Sequence, residues 1–588
     1  MTIKFQYKIA FVFALVGFQA ATAQKKDENI GTEVVNVVKP YTPTISDAFK
    51  VKETPVMEDN DNTQKKEIEY NIFSFPVAST FTPAKGKAAG VQKGKREKLF
   101  NNYATLAAGN YGTVNAELFV TENLNRNEYV GGMLRHLSSQ GGIDGVVLDD
   151  KYYNTSLDLT YGNRQKTYSW NADLGYQNQV YNWYGLPLEY QVFTEEEIAA
   201  IDPQQTYHTL YLGGNIAAED SFFKDAALQY KRFWDAYGSA ENRFFVKPSL
   251  DIDVLGEKIK FDFIADYVGG TFDDEENGVA AMDYNYFNLG VQPSVLFQRD
   301  DLSVQLGAGL FYSMGKLMGE SDNKFYIYPQ VKASYKVVGD LMIAYAGAEG
   351  TLKQNSYADF VSENHFVSPN LIVAPTDQQY DIYVGLKGKL ANTVAYNIRG
   401  SYMNEDNRAF FINYNPAFIP NPGATNVPGY GYGNSFGLLY DRLQTISFFG
   451  ELKADFSDNV TFGINGTFNS YDTDQEEAWN LPAIKIGTTL DVDITEKWYA
   501  GANVFFTGER KDFVAINNPE FVDPLATEAV ITLDSFFDAN AHVGYRYNER
   551  LTGFLKLNNI ANQDYQRWAS YPVQGFQFLL GASYKFNF

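Results

Sequence analysis

The end of the chain alternates strictly between apolar and polar positions. Every even position from 576 onward is apolar, namely Phe576, Phe578, Leu580, Ala582, Tyr584, Phe586 and Phe588. The odd positions are polar or small apart from Leu579. A period of two predicts a strand with one apolar face and one solvated face. Its aromatic crowding and the terminal Phe588 favour an apolar face that meets lipid.

The same alternation recurs from residue 101 to the C-terminus. Turn signals separate 22 such segments, which are mostly 10 to 16 residues long. The connections after even-numbered segments are tight, as at Gly339-Asp340. Those after odd-numbered segments are mostly long, as at 355–376 and 405–439, although two near Gly112 and Gly238 are short. Short turns on one rim and long loops on the other are typical of outer-membrane barrels.

A membrane location explains why such a sheet closes. Inside a bilayer every unpaired backbone group costs several kcal/mol, so a spanning sheet cannot keep free edges. We therefore predict an all-β fold, a transmembrane antiparallel β-barrel of about 22 strands over residues 101–588, in the outer membrane of a Gram-negative bacterium. An even strand count places both termini on the short-turn, periplasmic side.

The first hundred residues differ from the rest. Residues 1–23 combine Lys4 and Lys8, an apolar run and the cleavage site Ala21-Thr22-Ala23, which predicts a signal peptide. Residues 24–100 show little periodicity and predict an extended periplasmic segment. This segment contains an apolar, β-prone patch of Thr32, Glu33, Val34, Val35, Val37 and Val38. The patch is either a single edge strand or a strand that docks on a partner's sheet.

Composition argues against several kinds of site. The 588 residues include no Cys and carry a formal net charge of −23, so thiolate metal sites and a nucleic-acid partner are not expected. The four His residues lack the spacing of metal ligands, and no G-x-S-x-G motif occurs. We therefore expect no enzymatic activity, no cofactor and no metal.

The long loops are the candidate binding regions. Residues Thr194 to Ile201 predict a short helix with an acidic first turn in one of them. The loop 405–439 is rich in Pro and aromatic residues, and its candidate ligand residues are Phe410, Phe411, Tyr414, Tyr430 and Tyr432. Such a loop suits sugars or peptides, or it packs against neighbouring loops.

The last forty residues resemble the C-terminal end of TonB-dependent receptors, the 22-stranded outer-membrane transporters. The matching features are Leu557-Asn558-Asn559-Ile560, Asp564-Tyr565, Tyr571-Pro572, Gly575 and a closing strand that ends in Tyr584-Lys585-Phe586-Asn587-Phe588. The resemblance implies that Tyr584, Phe586 and Phe588 form the signal for the barrel-assembly machinery. It also implies a TonB box at Thr32-Glu33-Val34-Val35, which an energising TonB-like protein would bind. In style the chain resembles receptors of Bacteroidota.

One departure from the family concerns the lumen. Receptors of this family carry a plug domain of more than a hundred residues, whereas only residues 24–100 stand between the signal and the first strand. A lumen of 22 strands needs filling. The chain therefore predicts closure by its N-terminal segment and long loops, or by a surface or periplasmic partner. The resemblance implies uptake of a nutrient, and the alternative is a non-transporting scaffold subunit of an outer-membrane complex.

Overall fold

The computed structural model describes residues 99–219, 221–254, 256–273, 281–413, 427–516 and 528–588. These residues form two short helices, α1 (Glu195–Ala200) and α2 (Tyr357–Glu363), and 26 strands. The strands are β1 (Asn102–Gly109), β2 (Val114–Asn123), β3 (Glu128–Ser139), β4 (Tyr152–Arg164), β5 (Tyr168–Asn182), β6 (Gln204–Ala218), β7 (Phe223–Asp235), β8 (Ala240–Val254), β9 (Glu257–Phe272), β10 (Met282–Arg299), β11 (Leu302–Leu317), β12 (Glu320–Val338), β13 (Met342–Lys353), β14 (Thr376–Ala391), β15 (Val394–Asn413), β16 (Phe436–Ser457), β17 (Val460–Thr473), β18 (Ile484–Asp493), β19 (Trp498–Thr507), β20 (Arg510–Ala515), β21 (Glu528–Leu533), β22 (Phe536–Arg546), β23 (Leu551–Asn558), β24 (Gln566–Trp568), β25 (Tyr571–Pro572) and β26 (Gln577–Phe586).

A closed antiparallel barrel of 22 strands contains all strands except two hairpins. Each strand pairs with the next along the chain, β19 pairs with β22, and β23 pairs with β26. The barrel closes where β26 pairs with β1 from Asn102 opposite Phe586 to Gly109 opposite Leu579. The pairs β20–β21 and β24–β25 are separate two-stranded sheets within the long loops. The predicted fold class and strand number are therefore confirmed.

The two rims differ as the sequence pattern predicts. Connections after even-numbered barrel strands are at most four residues long, and we call their side the short-turn rim. The opposite side, the long-loop rim, carries the segments 183–203 and 354–375. A third short connection joins β11 to β12 on that side, because Met318 and Gly319 both adopt positive φ and close a two-residue hairpin.

Strands β15 and β16 extend further than the pattern predicts. The alternation indicates strands at 393–404 and 440–456, whereas the ladder runs from Val394 opposite Ala454 to Asn413 opposite Phe436. A β-bulge between Glu405 and Arg408 shifts the register and inverts the alternation beyond it. The predicted loop 405–439 therefore starts only after Asn413, and Phe410 and Phe411 belong to β15.

The outer face of strands β4 to β9 carries a continuous apolar row. Directly opposed residues on adjacent strands share one face of a sheet. One such row crosses β4 to β9 through Leu159, Leu174, Leu212, Tyr230, Phe244 and Tyr267, all of them exposed. A soluble protein seldom exposes an apolar surface of this extent, so the row indicates contact with lipid. Among the described residues, no helix is long and apolar enough to cross a membrane.

The inner face of the barrel is polar and ion-paired. Arg135 pairs with Asp158 at 2.8 Å, and the hydroxyl of Tyr211 donates to the same carboxylate at 2.7 Å. Elsewhere on the lumen wall, Lys332 of β12 pairs with Glu349 of β13 at 2.6 Å. The side chains of Arg135 and Lys332 remain about half exposed, at 53% and 52%. This part of the wall is therefore accessible to solvent and is not a packed core.

Candidate functional site

The long loops fold together over the lumen at the long-loop rim. We call the segments 183–203, 354–375, 427–435, 508–516 and 559–576 the loop cap. One buried apolar cluster joins this cap to lumen-facing residues of the barrel wall, including Tyr207, Phe233, Val268 and Tyr284, and to Phe411 on β15. Because the cluster connects β6 to β10 with β15 and β16, the cap packs across the barrel and not only along one edge.

Helix α2 is fixed to the wall at its N-terminus. The Glu241 carboxylate on β8 accepts hydrogen bonds from the backbone N–H groups of Tyr357 and Ala358, at 2.6 and 3.3 Å. The hydroxyl of Tyr284 donates to the same carboxylate at 2.7 Å. The first N–H groups of a helix lack partners within the helix and favour a negative charge. Glu241, which is 1% exposed, therefore attaches the cap to the lumen wall.

Two further contacts hold the same helix. The fully buried Tyr357 donates its hydroxyl to Asp235 at 2.8 Å. On the more exposed side, Arg243 pairs with Asp359 at 2.7 Å while it also pairs with Asp266 at 2.7 Å. The helix thus contacts the wall through its backbone, an aromatic hydroxyl and an ion pair.

His365 follows α2 and lies flat against the wall. Its ring stacks on Tyr181 with centroids 4.0 Å apart, and its Nδ1 donates to the Val361 carbonyl at 2.6 Å. The hydroxyl of Tyr207 donates to the His365 carbonyl at 2.9 Å. Burial lowers the pKa of the His365 imidazole from 6.5 to about 4, so the ring is neutral in the closed cap.

This histidine makes the cap sensitive to acid. Between pH 6.5 and 4 the unfolded loop binds more protons than the folded cap, so the cap loses stability as the pH falls through that window. We expect a loss of about 2 kcal/mol between pH 7.5 and 5. Hydrogen exchange of residues 354–375 at the two pH values measures it. His365→Gln should remove most of the pH dependence of the stability of residues 354–375. The same pH dependence in that variant and in wild type would contradict a role for His365.

Asp512 lies in a different part of the cap, and its protonation changes the stability of the cap in the opposite direction. It is fully buried on β20, and its carboxylate accepts from the backbone N–H groups of Asn413 and Phe513 at 3.3 and 2.9 Å. Burial raises the pKa of the Asp512 carboxyl to about 7. The folded state therefore binds the extra proton here, and β20 is stabilised as the pH falls through 7. Exchange resolved by segment separates this effect from that of His365.

Tyr571 connects three segments of the cap. Its ring stacks on Phe366 with centroids 3.7 Å apart and meets Tyr184 edge-on at 4.8 Å. Its hydroxyl donates to the backbone carbonyl of Asn434. The Tyr571 side chain is 1% exposed, so the C-terminal loop and the segments 183–203, 354–375 and 427–435 share one packed centre.

Asn434 orders the 427–435 segment. Its side-chain amide donates to the carbonyls of Trp183 and Gly429, both at 2.8 Å. The buried rings of Trp183 and Tyr430 meet edge-on, with centroids 5.5 Å apart. A buried amide with two fixed acceptors defines one loop conformation, because any other would leave its N–H groups unpaired.

Cavities remain between the described segments of the cap. One of about 520 Å³ is bounded by 186–190, 531–536 and 563–566. Another, of about 340 Å³, lies beside His365 and Tyr571 and is lined by Arg567 and Glu363. In the part of the chain that the structure describes, no cluster of three His, Asp or Glu side chains could hold a metal ion.

The candidate ligand residues of the sequence are mostly part of the packing. Phe410, Phe411 and Tyr430 are buried, with 2%, 6% and 1% exposure, while Tyr432 is partly exposed and lies near Phe193. Tyr414 lies outside the described residues. The alternative of packing against neighbouring loops thus describes the three buried rings. A ligand role for this set remains a prediction.

The predicted C-terminal assembly signal lies at the short-turn rim. On β26 the rings of Tyr584 and Phe586 stack with centroids 6.3 Å apart, and Phe588 is 84% exposed. The strand geometry is compatible with an assembly signal, which stays a prediction. The patch Thr32 to Val38, the signal peptide and nearly all of the segment 24–100 lie outside the described residues.

The residues that hold the cap were not found from the sequence. Glu241, Tyr357, Asn434 and Tyr571 make their contacts with residues far away in the chain. A local signal existed only for α2, where Ser356 accepts from the Asp359 N–H as an N-cap. The other helix was predicted correctly: α1 begins after Thr194, which forms a capping box with Glu197.

The chain is similar to outer-membrane receptors of known structure. The ferripyoverdine receptor of Pseudomonas aeruginosa superposes with a TM-score of 0.61 at 13% identity over 84% of this chain and 72% of that chain. The ferric-catecholate import receptor Fiu of E. coli K12 superposes with a TM-score of 0.58 at 10% identity over 84% of this chain and 82% of that chain. The FrpB iron transporter of Neisseria meningitidis superposes with a TM-score of 0.61 at 9% identity over 83% of this chain and 82% of that chain.

Neither a family model nor a curated protein sequence matches the chain. The similar structures are receptors and transporters, and TM-scores of 0.58 to 0.61 at identities of 9% to 13% show a shared fold. That fold agrees with the outer-membrane location expected from the sequence. The chain has the 22-stranded barrel fold of TonB-dependent outer-membrane receptors.

Proposed function

We propose that the chain is a receptor-like transport barrel of the outer membrane that admits a nutrient through its lumen. The observation that carries the proposal is the combination of a polar, solvent-accessible lumen wall with a cap of packed loops over one rim. A barrel of 22 strands is too wide to be filled by its own side chains. In this proposal the loop cap is the closed state of the entrance.

The noncovalent nature of the cap supports a gate. The structure describes hydrogen bonds, ion pairs and aromatic contacts between cap and wall, and the chain contains no Cys that could cross-link them. Such contacts can open and close reversibly when a ligand binds one state better than the other. The proposal places the long-loop rim outside the cell, and the short-turn rim with both chain termini in the periplasm.

Two partners belong to the proposal. A TonB-like energising protein would bind the strand at Thr32, Glu33, Val34, Val35, Val37 and Val38. The barrel-assembly machinery would bind the terminal strand through Tyr584, Phe586 and Phe588. The similar receptors and transporters support a transport role by fold alone, and the nutrient is not specified by them.

Conductance tests the gate. We expect wild-type protein in planar lipid bilayers to conduct little, and a variant with a short Gly-Ser linker in place of 354–375 to conduct several-fold more. The reason is that this segment supplies α2 and four of its buried side chains to the cap. The substitutions Ser362→Ala and Glu363→Gln, at exposed positions of the same segment, are the matched control. Their conductance should equal that of wild type.

A second variant keeps the test decisive. The linker variant is also made without residues 24–98, and folding of both is checked by heat-dependent electrophoretic mobility. If both fold and neither conducts, the lumen is not a path and transport is excluded. Stoichiometric recovery of a partner from native membranes, lost on deletion of 24–60, would then favour the scaffold alternative.

A further inference from the structure

A polar cavity lies on the outer face of the barrel, on the long-loop side of the apolar row that includes Tyr230, Phe244 and Tyr267. This cavity of about 440 Å³ is lined mainly by strands β7 to β11, and we call it the outer pocket. Side chains two residues apart on a strand share a face, so Arg232 and Asn242 point to the same side as Tyr230 and Phe244. The outer pocket therefore opens toward lipid and not toward the lumen.

A cross-strand row of polar residues forms the outer pocket. The ladder joins five of its lining residues in the order Arg232, Asn242, Gly269, Asn285 and Lys316. Neighbouring strands lie about 4.8 Å apart, so four steps separate the backbones of the two cations by roughly 19 Å. The row thus has a cation at each end, with two amides and a glycine between them.

Gly269 lets an aromatic hydroxyl reach this row. A Cβ atom at position 269 would lie 2.4 Å from the hydroxyl oxygen of Tyr267, so that phenol extends over the glycine. On the neighbouring strands, the Tyr230 hydroxyl and the Arg232 guanidinium both donate to Asn242 Oδ1, at 2.8 and 3.1 Å. The centre of the outer pocket is therefore lined by hydroxyl and amide groups that can donate and accept hydrogen bonds.

The two cations of the outer pocket are exposed and carry a net positive charge. No carboxylate of the described residues forms an ion pair with Arg232 or Lys316, whereas the lumen-facing Lys231 pairs with Asp359 at 3.6 Å. The carboxylate in the lining, that of Asp283, accepts a hydrogen bond from the Thr271 hydroxyl at 2.8 Å. Cations that face lipid are costly unless an anionic group binds them.

The depth of the outer pocket in the membrane indicates which anion is at hand. Tyr and Trp concentrate where lipid meets water. Tyr230 and Tyr267 lie on the apolar side of the pocket, and Trp234 lies opposite the lining residue Ala240 on the rim side. The pocket is therefore at the level of the lipid head groups, whose phosphates are strong acceptors for guanidinium and ammonium groups.

We propose that the outer pocket binds the head group of a membrane glycolipid that carries a phosphate at each end. Arg232 and Lys316 bind the two phosphates, because cations roughly 19 Å apart along the sheet suit two separated anions better than one. Asn242, Asn285 and the Tyr267 hydroxyl bind the sugar hydroxyls between them, and the acyl chains cover the apolar row. In the orientation proposed above this lipid belongs to the outer leaflet. It stays outside the lumen, so the inference goes beyond transport.

Native mass spectrometry of the full-length protein tests this site. The protein is delipidated in a polyoxyethylene detergent, because sugar-headed detergents would compete. The probes are diphosphoryl lipid A, the same lipid without its phosphates, and inorganic phosphate. We expect one equivalent of diphosphoryl lipid A to bind, the dephosphorylated lipid to bind at least tenfold more weakly, and inorganic phosphate not to bind.

Variants locate the lipid. Arg232→Gln and Lys316→Gln should each weaken binding of diphosphoryl lipid A about fivefold, and the double variant about 25-fold. Arg442→Gln is the matched control, because Arg442 already pairs with Asp474 at 2.7 Å, and it should bind like wild type. Folding of every variant is checked by heat-dependent electrophoretic mobility.

Several outcomes would overturn the proposal. These are equal binding of the dephosphorylated lipid, displacement of the lipid by inorganic phosphate, or normal binding by the folded double variant. A second copy of the chain held at this face, and released by the double variant, would also overturn it. None of these outcomes involves conductance, so lipid binding and transport are tested separately.

Discussion

Replacing Glu241 by alanine is expected to detach helix α2 from the barrel wall while the barrel itself stays folded. The variant removes the acceptor of the Tyr357 and Ala358 N–H groups and of the Tyr284 hydroxyl. All three donors lie in a buried environment, where an unpaired polar group is costly. We expect the 354–375 segment to lose about 3–5 kcal/mol of local stability.

Hydrogen exchange of the 354–375 segment measures this loss. Protection should fall in that segment and remain unchanged in strands far from it, such as β18 and β19. Glu241→Gln is the matched control, since it keeps the shape and one acceptor and should lose roughly half as much. Equal protection in wild type and Glu241→Ala would show that the apolar packing of α2 holds the cap alone.

Replacing Tyr571 by alanine is expected to separate the C-terminal loop from the rest of the cap. The substitution removes a ring stacked on Phe366 and meeting Tyr184, and leaves a cavity that the surrounding segments cannot fully close. Truncation of a buried aromatic residue typically costs about 3–5 kcal/mol. Protection from exchange should fall together in 354–375, 427–435 and 559–576.

Tyr571→Phe separates the hydroxyl from the ring. It removes only the hydrogen bond to the Asn434 carbonyl and should cost about 1 kcal/mol. The fall should then be limited to the 427–435 segment. If Tyr571→Phe loses as much protection as Tyr571→Ala, the effect belongs to the hydroxyl. If Tyr571→Ala loses protection only in 559–576, the three segments are not coupled through this ring.

The sequence predicted the structure correctly wherever that structure depends on residues that are neighbours along the chain. The period of two in Phe578, Leu580 and Ala582 requires one apolar and one polar face, and β26 has this arrangement. The parity of short and long connections followed from turn residues alone. The number of strands, the closure of the barrel and the helix after Thr194 were therefore predictable.

The same reasoning misjudged the place where alternation is interrupted. The bulge at Asn407 inverts the pattern beyond Glu405, so the end of β15 reads as loop. Phe410 and Phe411 were consequently interpreted as candidate ligand residues of a loop. In the structure they are buried strand residues, and the bulge instead turns Arg408 into the lumen.

The sequence by itself determined a 22-stranded barrel with one apolar face, because strand formation and turn chemistry are local. Only the tertiary structure decided how the long loops pack together at the long-loop rim. Glu241 and Tyr357 are separated by 116 residues, and Tyr571 and Asn434 by 137. Contacts over such distances leave no periodic pattern, since each residue alone is an ordinary Glu, Tyr or Asn. The cap therefore became visible only when the strands had brought these residues together.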